Sequence, residues 1–129
     1  MENVSGRCRI LLVDDADAVR ESLRYLLENE PDLTVAGEAG DGSAAITQAA
    51  ALTPDLVILD IKLPNLDGFV TARALKALAH PPLVVFLTAH GSAAIQRRAL
   101  ASGGDGYVEK SQGWGALLAE VRRVVKREL

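Results

Sequence analysis

The sequence predicts an α/β fold in which five strands alternate with five helices, a (βα)₅ arrangement around a doubly wound parallel sheet. Short apolar runs alternate with helical patterns from one end of the chain to the other. Three of the runs are continuous stretches of Val, Ile, Leu or Phe, which is typical of parallel strands covered on both faces. Strict alternation with short connections favours right-handed crossovers and helices on both faces of the sheet.

Each predicted strand is a largely apolar run of five to seven residues. The first, RILLV, leads directly into two aspartates, and the third, DLVILD, also ends in an aspartate. LTVAGEA, LVVFLT and GYVEK complete the set. The predicted strands are therefore residues 9–13, 33–39, 55–60, 83–88 and 106–110.

The predicted helices occupy the segments between and after these strands. The first carries Val19, Leu23 and Leu27 on one face and ends before Pro31, with Asp17 expected as its N-cap. Three more are predicted in GSAAITQAAALTPD, in DGFVTARALKALAHPP as far as the paired prolines, and in SAAIQRRALASGG. The last helix, from about Trp114, has a three-and-four apolar spacing with cations near its C-terminal end.

The composition is that of an ordinary globular domain. Of the 129 residues, 49% are apolar and 24% are charged, which argues against disorder and against a membrane protein. The net charge of −3 argues against a nucleic-acid-binding surface, because such surfaces carry a positive excess. No apolar run approaches the ~20 residues of a membrane span, and the N-terminus lacks the apolar stretch of a signal peptide. With Cys8 as the single cysteine, we expect a cytoplasmic protein.

Polar residues follow four of the predicted strands. Asp14 and Asp15 follow the first, Asp60 ends the third, Thr88 ends the fourth and Lys110 ends the fifth. Because sites in such sheets lie beyond the carboxyl ends of the strands, we expect these side chains to meet at one edge. Carboxylates this close repel one another unless a cation lies among them, and hard oxygen ligands suit Mg²⁺. The pattern predicts a divalent-metal site, for Mg²⁺ or Mn²⁺, opposite a threonine and a lysine placed to hold an anion.

Four motifs, ILLVDD, LVILDIKLPNLDG, VVFLTA and GYVEK, occur in this order along the chain. Together they resemble the receiver domain of two-component response regulators, typified by the chemotaxis response regulator, over essentially the whole chain. The resemblance implies a flavodoxin-like sheet with strand order 2-1-3-4-5. It also implies a conformational switch that a histidine kinase or a phosphotransfer protein phosphorylates and that controls an output or a partner.

Carried over residue by residue, the resemblance assigns the chemistry of the acidic cluster. Asp60 would be the phosphoacceptor. Asp15, Asp60 and the backbone carbonyl of Lys62 would bind Mg²⁺ directly, whereas Asp14 would act mainly through water. Positioning and charge neutralisation dominate phosphoryl transfer, and these residue types suit that chemistry.

The resemblance also assigns the residues around the phosphoryl group. Thr88 would donate its hydroxyl to one phosphoryl oxygen and Lys110 would pair with another. Tyr107 matches the switch aromatic that moves inward when Thr88 moves, and the segment PNLDG, residues 64–68, would shape the loop after the third strand. The domain would catalyse only its own phosphorylation and dephosphorylation, and so would not be an enzyme for other substrates.

The segment VAGEAGDGSAAI resembles receivers that precede a helix-turn-helix domain of the nitrate-response or LuxR type, and Ser111 after Lys110 suits that subgroup. Residues 1–129 would then form a single receiver domain without an output domain, as a stand-alone receiver or as a fragment of a larger protein. A homodimer, a downstream output domain and a role in transcription regulation all fit this interpretation. Direct nucleic-acid binding by this segment and membrane association are not expected.

Several positions outside the site carry predictions of their own. Gly113 and Trp114 replace a Ser-Pro pair that is frequent before the last helix, so Gly113 is predicted as an N-cap without a side-chain acceptor. Gly104 stands where the receivers that the chain resembles often have alanine, and the glycine predicts a looser turn before the fifth strand. Trp114 and Cys8 are predicted to be packing residues.

Two other functions are compatible with this fold. One is an interaction module that works without phosphorylation. The sequence argues against it, because every position that the phosphorylation chemistry needs carries the expected residue. The other is a Mg²⁺-dependent phosphatase with an aspartyl nucleophile, which the short loops disfavour because they leave no room for a cap.

In the leading interpretation, Lys62 lies two residues after Asp60 and His90 lies two residues after Thr88. We expect them at the mouth of the site, where they would lengthen the life of the phosphorylated form.

Overall fold

The structure, a computed structural model, describes residues 6–128 except for the side chain of residue 128, so that residues 1–5 and 129 of the predicted domain lie outside the described part. The predicted strands are present as β1 (Cys8–Val13), β2 (Leu33–Ala39), β3 (Leu56–Leu59), β4 (Leu83–Thr88) and β5 (Gly106–Glu109). They alternate with the helices α1 (Asp17–Glu28), α2 (Gly42–Leu52), α3 (Gly68–Lys76), α4 (Ala93–Ala101) and α5 (Trp114–Glu128). A 3₁₀ turn, Lys110–Gln112, follows β5.

The sheet is parallel throughout, and its order, β2-β1-β3-β4-β5, confirms the prediction. Val13 at the end of β1 pairs with Leu59 at the end of β3. Thr88 at the end of β4 pairs with Glu109 at the end of β5. The residues that follow these strands therefore emerge together along one edge of the sheet.

Strand residues alternate between two apolar cores, one on each face of the sheet. Leu11 and Val13 face the core that α2, α3 and α4 cover, whereas Ile10 and Leu12 face the core that α1 and α5 cover. All four residues of β3 are buried as well. Because both faces of the sheet are covered there, Ile10–Val13 of β1 and all of β3 are continuously apolar and lack a polar alternation.

Strand β5 forms one edge of the sheet and is held by α5. The Tyr107 amide donates a hydrogen bond to Glu120 Oε2 at 3.0 Å. Arg123 donates to the same oxygen at 2.9 Å and to the Asp105 carbonyl at 3.3 Å. A donor of the edge strand thus has its partner inside the domain, which discourages pairing with another chain.

Helix α1 begins differently from the prediction. Ala16 is at the N-cap position and provides no side-chain acceptor, and Asp17 is the first helical residue. The prediction that Asp17 caps the helix is therefore wrong. The acceptor for this turn comes from the residue that follows β1, because Asp14 Oδ1 accepts a hydrogen bond from the Ala16 amide at 2.9 Å. The exposed carboxylate of Asp17 pairs with Arg20 instead.

Gly104 does not mark a loose turn. A Cβ at this position would lie 2.8 Å from Phe86 Cε2 and 2.9 Å from the Ala99 carbonyl oxygen. The glycine allows the α4–β5 connection to approach the core closely, so the prediction of a looser turn is corrected.

Three predictions about α3, Trp114 and Cys8 have different outcomes. Helix α3 ends at Lys76, before the paired prolines at which its end was predicted. Trp114 is 39% exposed and is not a core residue, whereas Cys8 packs against the core under α1 and α5 as predicted. Gly113 precedes α5 with φ of 90°, a conformation that suits glycine. None of the helices in residues 6–128 is long and apolar enough to cross a bilayer.

Candidate functional site

Three carboxylates meet beyond the ends of β1 and β3. Asp14, Asp15 and Asp60 each offer an oxygen, and these oxygens lie within 4.8 Å of one another. Asp14 and Asp60 are buried and Asp15 is exposed. The register of Val13 with Leu59 explains the cluster, since the next residue of each strand is an aspartate.

Asp14 has all its polar groups engaged within the protein. Its amide donates to the Ala39 carbonyl at 3.2 Å, and its carbonyl accepts from Arg20 at 2.5 Å. Its carboxylate accepts from the Ala16 amide at 2.9 Å and from Lys110 Nζ at 3.0 Å. A carboxylate held in this way favours contact with a metal through water, which is the role predicted for Asp14.

Asp60 is 8% exposed and is fixed by its backbone and by one of its carboxylate oxygens. Its amide donates to the Val13 carbonyl at 3.0 Å, and its Oδ1 accepts from the Ile61 amide at 2.7 Å. Burial, and after it the negative charge of Asp14, raise the pKa of the Asp60 carboxyl to about 6, against the opposing effect of Lys110. The ionised form of Asp60 therefore lacks sufficient positive charge around it.

Lys110 is shared between the two buried carboxylates. Its Nζ lies 3.0 Å from Asp14 Oδ2 and 3.7 Å from Asp60 Oδ2. The residue begins the 3₁₀ turn, whereas the prediction placed it at the end of the fifth strand. The turn is closed by the side chain of Gln112, whose Oε1 accepts from the Glu109 amide at 2.8 Å. Lys110 is thus brought to the aspartates as predicted.

The charges of this cluster fit a divalent cation. The cluster has three carboxylates and one ammonium, which Lys110 places between Asp14 and Asp60, so its net charge is negative when all three carboxylates are ionised. Burial is the largest cause of the raised pKa of Asp60, and the negative charge of Asp14 adds to it. Mg²⁺ prefers oxygen ligands and keeps several waters. The groups that would hold it are the carboxylates of Asp15 and Asp60 and the backbone carbonyl of Lys62.

The loop after β3 closes tightly behind the phosphoacceptor position. The Gly68 amide donates to the Ile61 carbonyl at 2.7 Å. A Cβ on Gly68 would overlap the backbone oxygen of Asp60 and would lie 2.6 Å from Ile61 Cα. Asp67 caps α3 by accepting from the Val70 amide at 2.9 Å. The PNLDG segment therefore shapes this loop through the glycine and the cap.

Thr88 and Tyr107 lie on neighbouring strands. Thr88 is buried, and its hydroxyl donates to the His90 carbonyl at 3.3 Å. The Tyr107 hydroxyl is buried beside Gly91, where an added Cβ would overlap it. Among the described residues this hydroxyl has no hydrogen-bond partner of good geometry. Burial and then Glu109 raise the pKa of Tyr107, and the nearby backbone of Ser92 opposes the rise.

The side chains of Lys62 and His90 are both exposed. Lys62 lines an open cleft of about 520 Å³ together with Asp15. Arg98 borders the same cleft, with its guanidinium 4.3 Å from the centre of the Phe69 ring. The structure places Lys62 beside the acidic cluster. It places His90 in the loop after β4, where the His90 backbone carbonyl accepts a hydrogen bond from Thr88.

The sheet order β2-β1-β3-β4-β5 and the three aspartates and one lysine at its carboxyl edge together agree with a receiver fold. The family model of the response regulator receiver domain matches residues 10–122, and the chain belongs to this family. The four motifs that indicated it all lie within the matched range. Receivers are components of two-component systems, in which they act with histidine kinases and output domains.

Relatives of two kinds share this domain. A protein-glutamate methylesterase/protein-glutamine glutaminase of Nocardioides sp. is 37% identical over 119 residues, which are 90% of this chain and 32% of that protein. The response regulator domain of Thermotoga maritima CheB has a TM-score of 0.87 and 30% identity, over 93% of this chain and 97% of that chain. The receiver domain of the putative response regulator NarL from Mycobacterium tuberculosis has a TM-score of 0.82 and 30% identity, over 94% of each chain. The chain thus spans about a third of the length of the methylesterase.

Sequence reasoning missed Arg20. Its guanidinium contacts the backbone of Asp14, the carboxylate of Asp17 and the carboxylate of Glu38. The one available signal was its position near the start of the first helix, from which a long side chain can reach back to the end of β1.

Proposed function

We propose that this receiver accepts a phosphoryl group on Asp60, in a Mg²⁺-dependent reaction, from the phosphohistidine of a histidine kinase or a phosphotransfer protein. The observation that carries the proposal is the position of Asp60. It is a buried carboxylate at the end of a central strand, next to Asp14 and Asp15 and within 3.7 Å of the Lys110 ammonium. Membership of the receiver family supports the same role.

The chain's own residues supply the nucleophile and the groups that hold the transferred phosphate. An oxygen of Asp60 attacks phosphorus, a P–O bond forms, and the P–N bond breaks with its electron pair going to the histidine of the donor. Lys110 offsets the charge of one phosphoryl oxygen. The Thr88 hydroxyl, which donates to the His90 carbonyl, can turn to donate to a second phosphoryl oxygen. A bound Mg²⁺ would neutralise charge on Asp60 and on the transferred oxygens, which is the main requirement of phosphoryl transfer.

Hydrolysis of the aspartyl phosphate by water restores Asp60. The P–O bond to the protein breaks and inorganic phosphate leaves, so the domain would promote only these two reactions of its own side chain. The phosphoryl group adds about −1.5 to −2 charges. Movement of Thr88 toward it would change the packing near Gly91 and Tyr107, and thereby the surface formed by β4, α4 and β5. An output domain or a partner would recognise this surface.

Intact-mass spectrometry after incubation with acetyl phosphate and Mg²⁺ tests the proposal. We expect the wild type to gain one phosphoryl group and the Asp60→Asn variant to gain none. Asp67→Asn is the matched control, because asparagine can replace aspartate as an N-cap and the residue lies in the same loop. Addition of EDTA should abolish labelling of the wild type and of the control.

Two outcomes would count against the proposal. A full adduct on Asp60→Asn would place the phosphoacceptor elsewhere. No adduct on the wild type, with this donor and with a phosphorylated histidine kinase, would favour a receiver that acts as an interaction module without phosphorylation.

A further inference from the structure

Arg20 links three separate segments at the edge of the acidic cluster. It lies in the second turn of α1, and its side chain is only 15% exposed. One terminal nitrogen donates to the Asp14 carbonyl at 2.5 Å, and Nε donates to Glu38 Oε1 at 3.1 Å. The other terminal nitrogen pairs with the Asp17 carboxylate. A single guanidinium therefore joins the end of β1, the start of α1 and the end of β2.

The contact with Asp14 bears on the geometry of the whole cluster. The Asp14 carbonyl and the Asp15 amide belong to one planar peptide group. A hydrogen bond that fixes the carbonyl therefore fixes the plane from which the Asp15 side chain starts. The Asp14 amide and carboxylate are held independently, by Ala39, Ala16 and Lys110. Arg20 supplies the hydrogen bond to the carbonyl.

We propose that Arg20 is a positioning residue, which holds the Asp14–Asp15 peptide so that the two carboxylates are presented to a divalent cation. This inference rests on the proposed function, in which the cation is Mg²⁺. Mutation of a residue that orients a metal ligand without touching the metal typically lowers metal affinity or activity about 10- to 100-fold. Arg20 would act in this way through the backbone.

The charge and shape of the guanidinium both matter for this role. Glu38 accepts from Arg20 and from Arg24, at 3.1 Å and 2.7 Å, so the two cations share its carboxylate. Arg20 is thereby kept on the backbone of Asp14 and away from the site carboxylates. A guanidinium donates in several fixed directions within one plane, whereas an ammonium is a point charge on a flexible stem. Lysine should therefore replace Arg20 incompletely.

Arg24 is the matched control for Arg20. It lies one turn later on the same helix, bonds the other oxygen of Glu38 and also bonds Glu28 at 3.4 Å. Arg24→Ala removes an arginine from the same helix–strand contact and leaves the Asp14 carbonyl bond in place. A purely structural role for Arg20 would make the two alanine variants behave alike toward Mg²⁺.

The experiment measures Mg²⁺ affinity by titration calorimetry on the full chain, for the wild type and for Arg20→Ala, Arg20→Lys and Arg24→Ala. Urea unfolding of the metal-free proteins gives their stabilities, and amide NMR shifts of Asp15 report the peptide directly. We expect Arg20→Ala to raise the Kd for Mg²⁺ about tenfold and to shift the Asp15 amide. Arg20→Lys should raise the Kd less. Arg24→Ala should leave the Kd within about twofold of the wild type, although it should lose about as much folding stability as Arg20→Ala.

Wild-type affinity in both Arg20 variants, or an equal loss in Arg24→Ala, would overturn the positioning role alone. If Arg20→Ala does not fold, the lysine variant decides between these results. A wild type that binds no Mg²⁺ would overturn the proposed function as well, so the two failures are distinguishable.

Discussion

The Lys110 ammonium is closer to Asp14 than to the phosphoacceptor position. Its Nζ is 3.0 Å from Asp14 Oδ2, which is a direct hydrogen bond, and the corresponding distance to Asp60 is 3.7 Å. Lys110 is thus anchored by one carboxylate while it faces the other. A phosphoryl oxygen on Asp60 would find this cation already in place, and the pairing with Asp14 would need little change.

Lys110→Ala should slow phosphorylation by roughly tenfold or more, because the variant loses a preorganised charge at the transferred group. The measurement is the rate of adduct formation with acetyl phosphate and Mg²⁺. Lys76→Ala is the control, since Lys76 makes a comparable pair with Asp105 at 2.6 Å away from the site. Equal rates for Lys110→Ala and the wild type would show that Lys110 has no part in the chemistry.

Asp60→Asn should stabilise the metal-free protein at neutral pH. Burial and Asp14 raise the pKa of Asp60 from its ordinary value of 3.8 to about 6. The folded state therefore binds a proton more readily than the unfolded state, and this group costs stability as the pH rises through about 6. The amide removes the cost, which is about 3 kcal/mol at pH ~7.5.

Urea unfolding in EDTA at several pH values tests this sign. The stability difference between Asp60→Asn and the wild type should be largest above pH ~6 and should shrink toward pH ~4, where Asp60 is protonated. A difference that grows as the pH falls would contradict the raised pKa.

Gly68→Ala should destabilise the domain by about 2–4 kcal/mol, because a Cβ would overlap backbone atoms of Asp60, which move less readily than a side chain. It should also slow phosphorylation by displacing Asp60. Gly115→Ala is the control, since a Cβ at that helical position meets nothing within 4 Å. There the substitution should stabilise the helix by about 0.5–1 kcal/mol. Chemical denaturation of both variants gives the comparison, and a Gly68→Ala protein as stable as the wild type would refute the steric argument.

The lifetime of the phosphorylated form should depend on Lys62 and His90. Lys62 lines the open cleft beside Asp15, and both side chains are exposed and free to cover the phosphoryl group. Hydrolysis needs an open in-line approach for water, so we expect Lys62→Ala and His90→Ala to accelerate decay. Decay is followed at constant Mg²⁺ and pH, with His80→Ala in an exposed loop as the control. Unchanged or slower decay would mean that these two side chains do not shield the phosphate.

The sequence predicted the fold well because its signal is local and repeated. Five apolar runs separated by helical patterns define the elements, and the aspartates that follow Val13 and Leu59 meet because those two residues are in register. The topology and the assignment of roles came from the resemblance to a family. Composition alone would not have supplied either.

Details that depend on side-chain reach were not predictable. Asp17 looked like an N-cap, but Asp14 supplies the acceptor to the turn through a hydrogen bond within the cluster. Arg20 was missed because its role depends on where α1 begins and on the distance to the end of β2. Gly104 was misjudged because its nearest neighbour, Phe86, is distant in sequence.

The central strands β1 and β3 should resist local opening more strongly than the edge strand β5. The amides of β1 and β3, covered on both faces, should exchange with deuterium mainly through global unfolding. Strand β5 has four residues at the edge and should open at a lower free energy, together with its neighbour α4. The surface formed by β4, α4 and β5 can then fluctuate many times while the aspartates stay assembled.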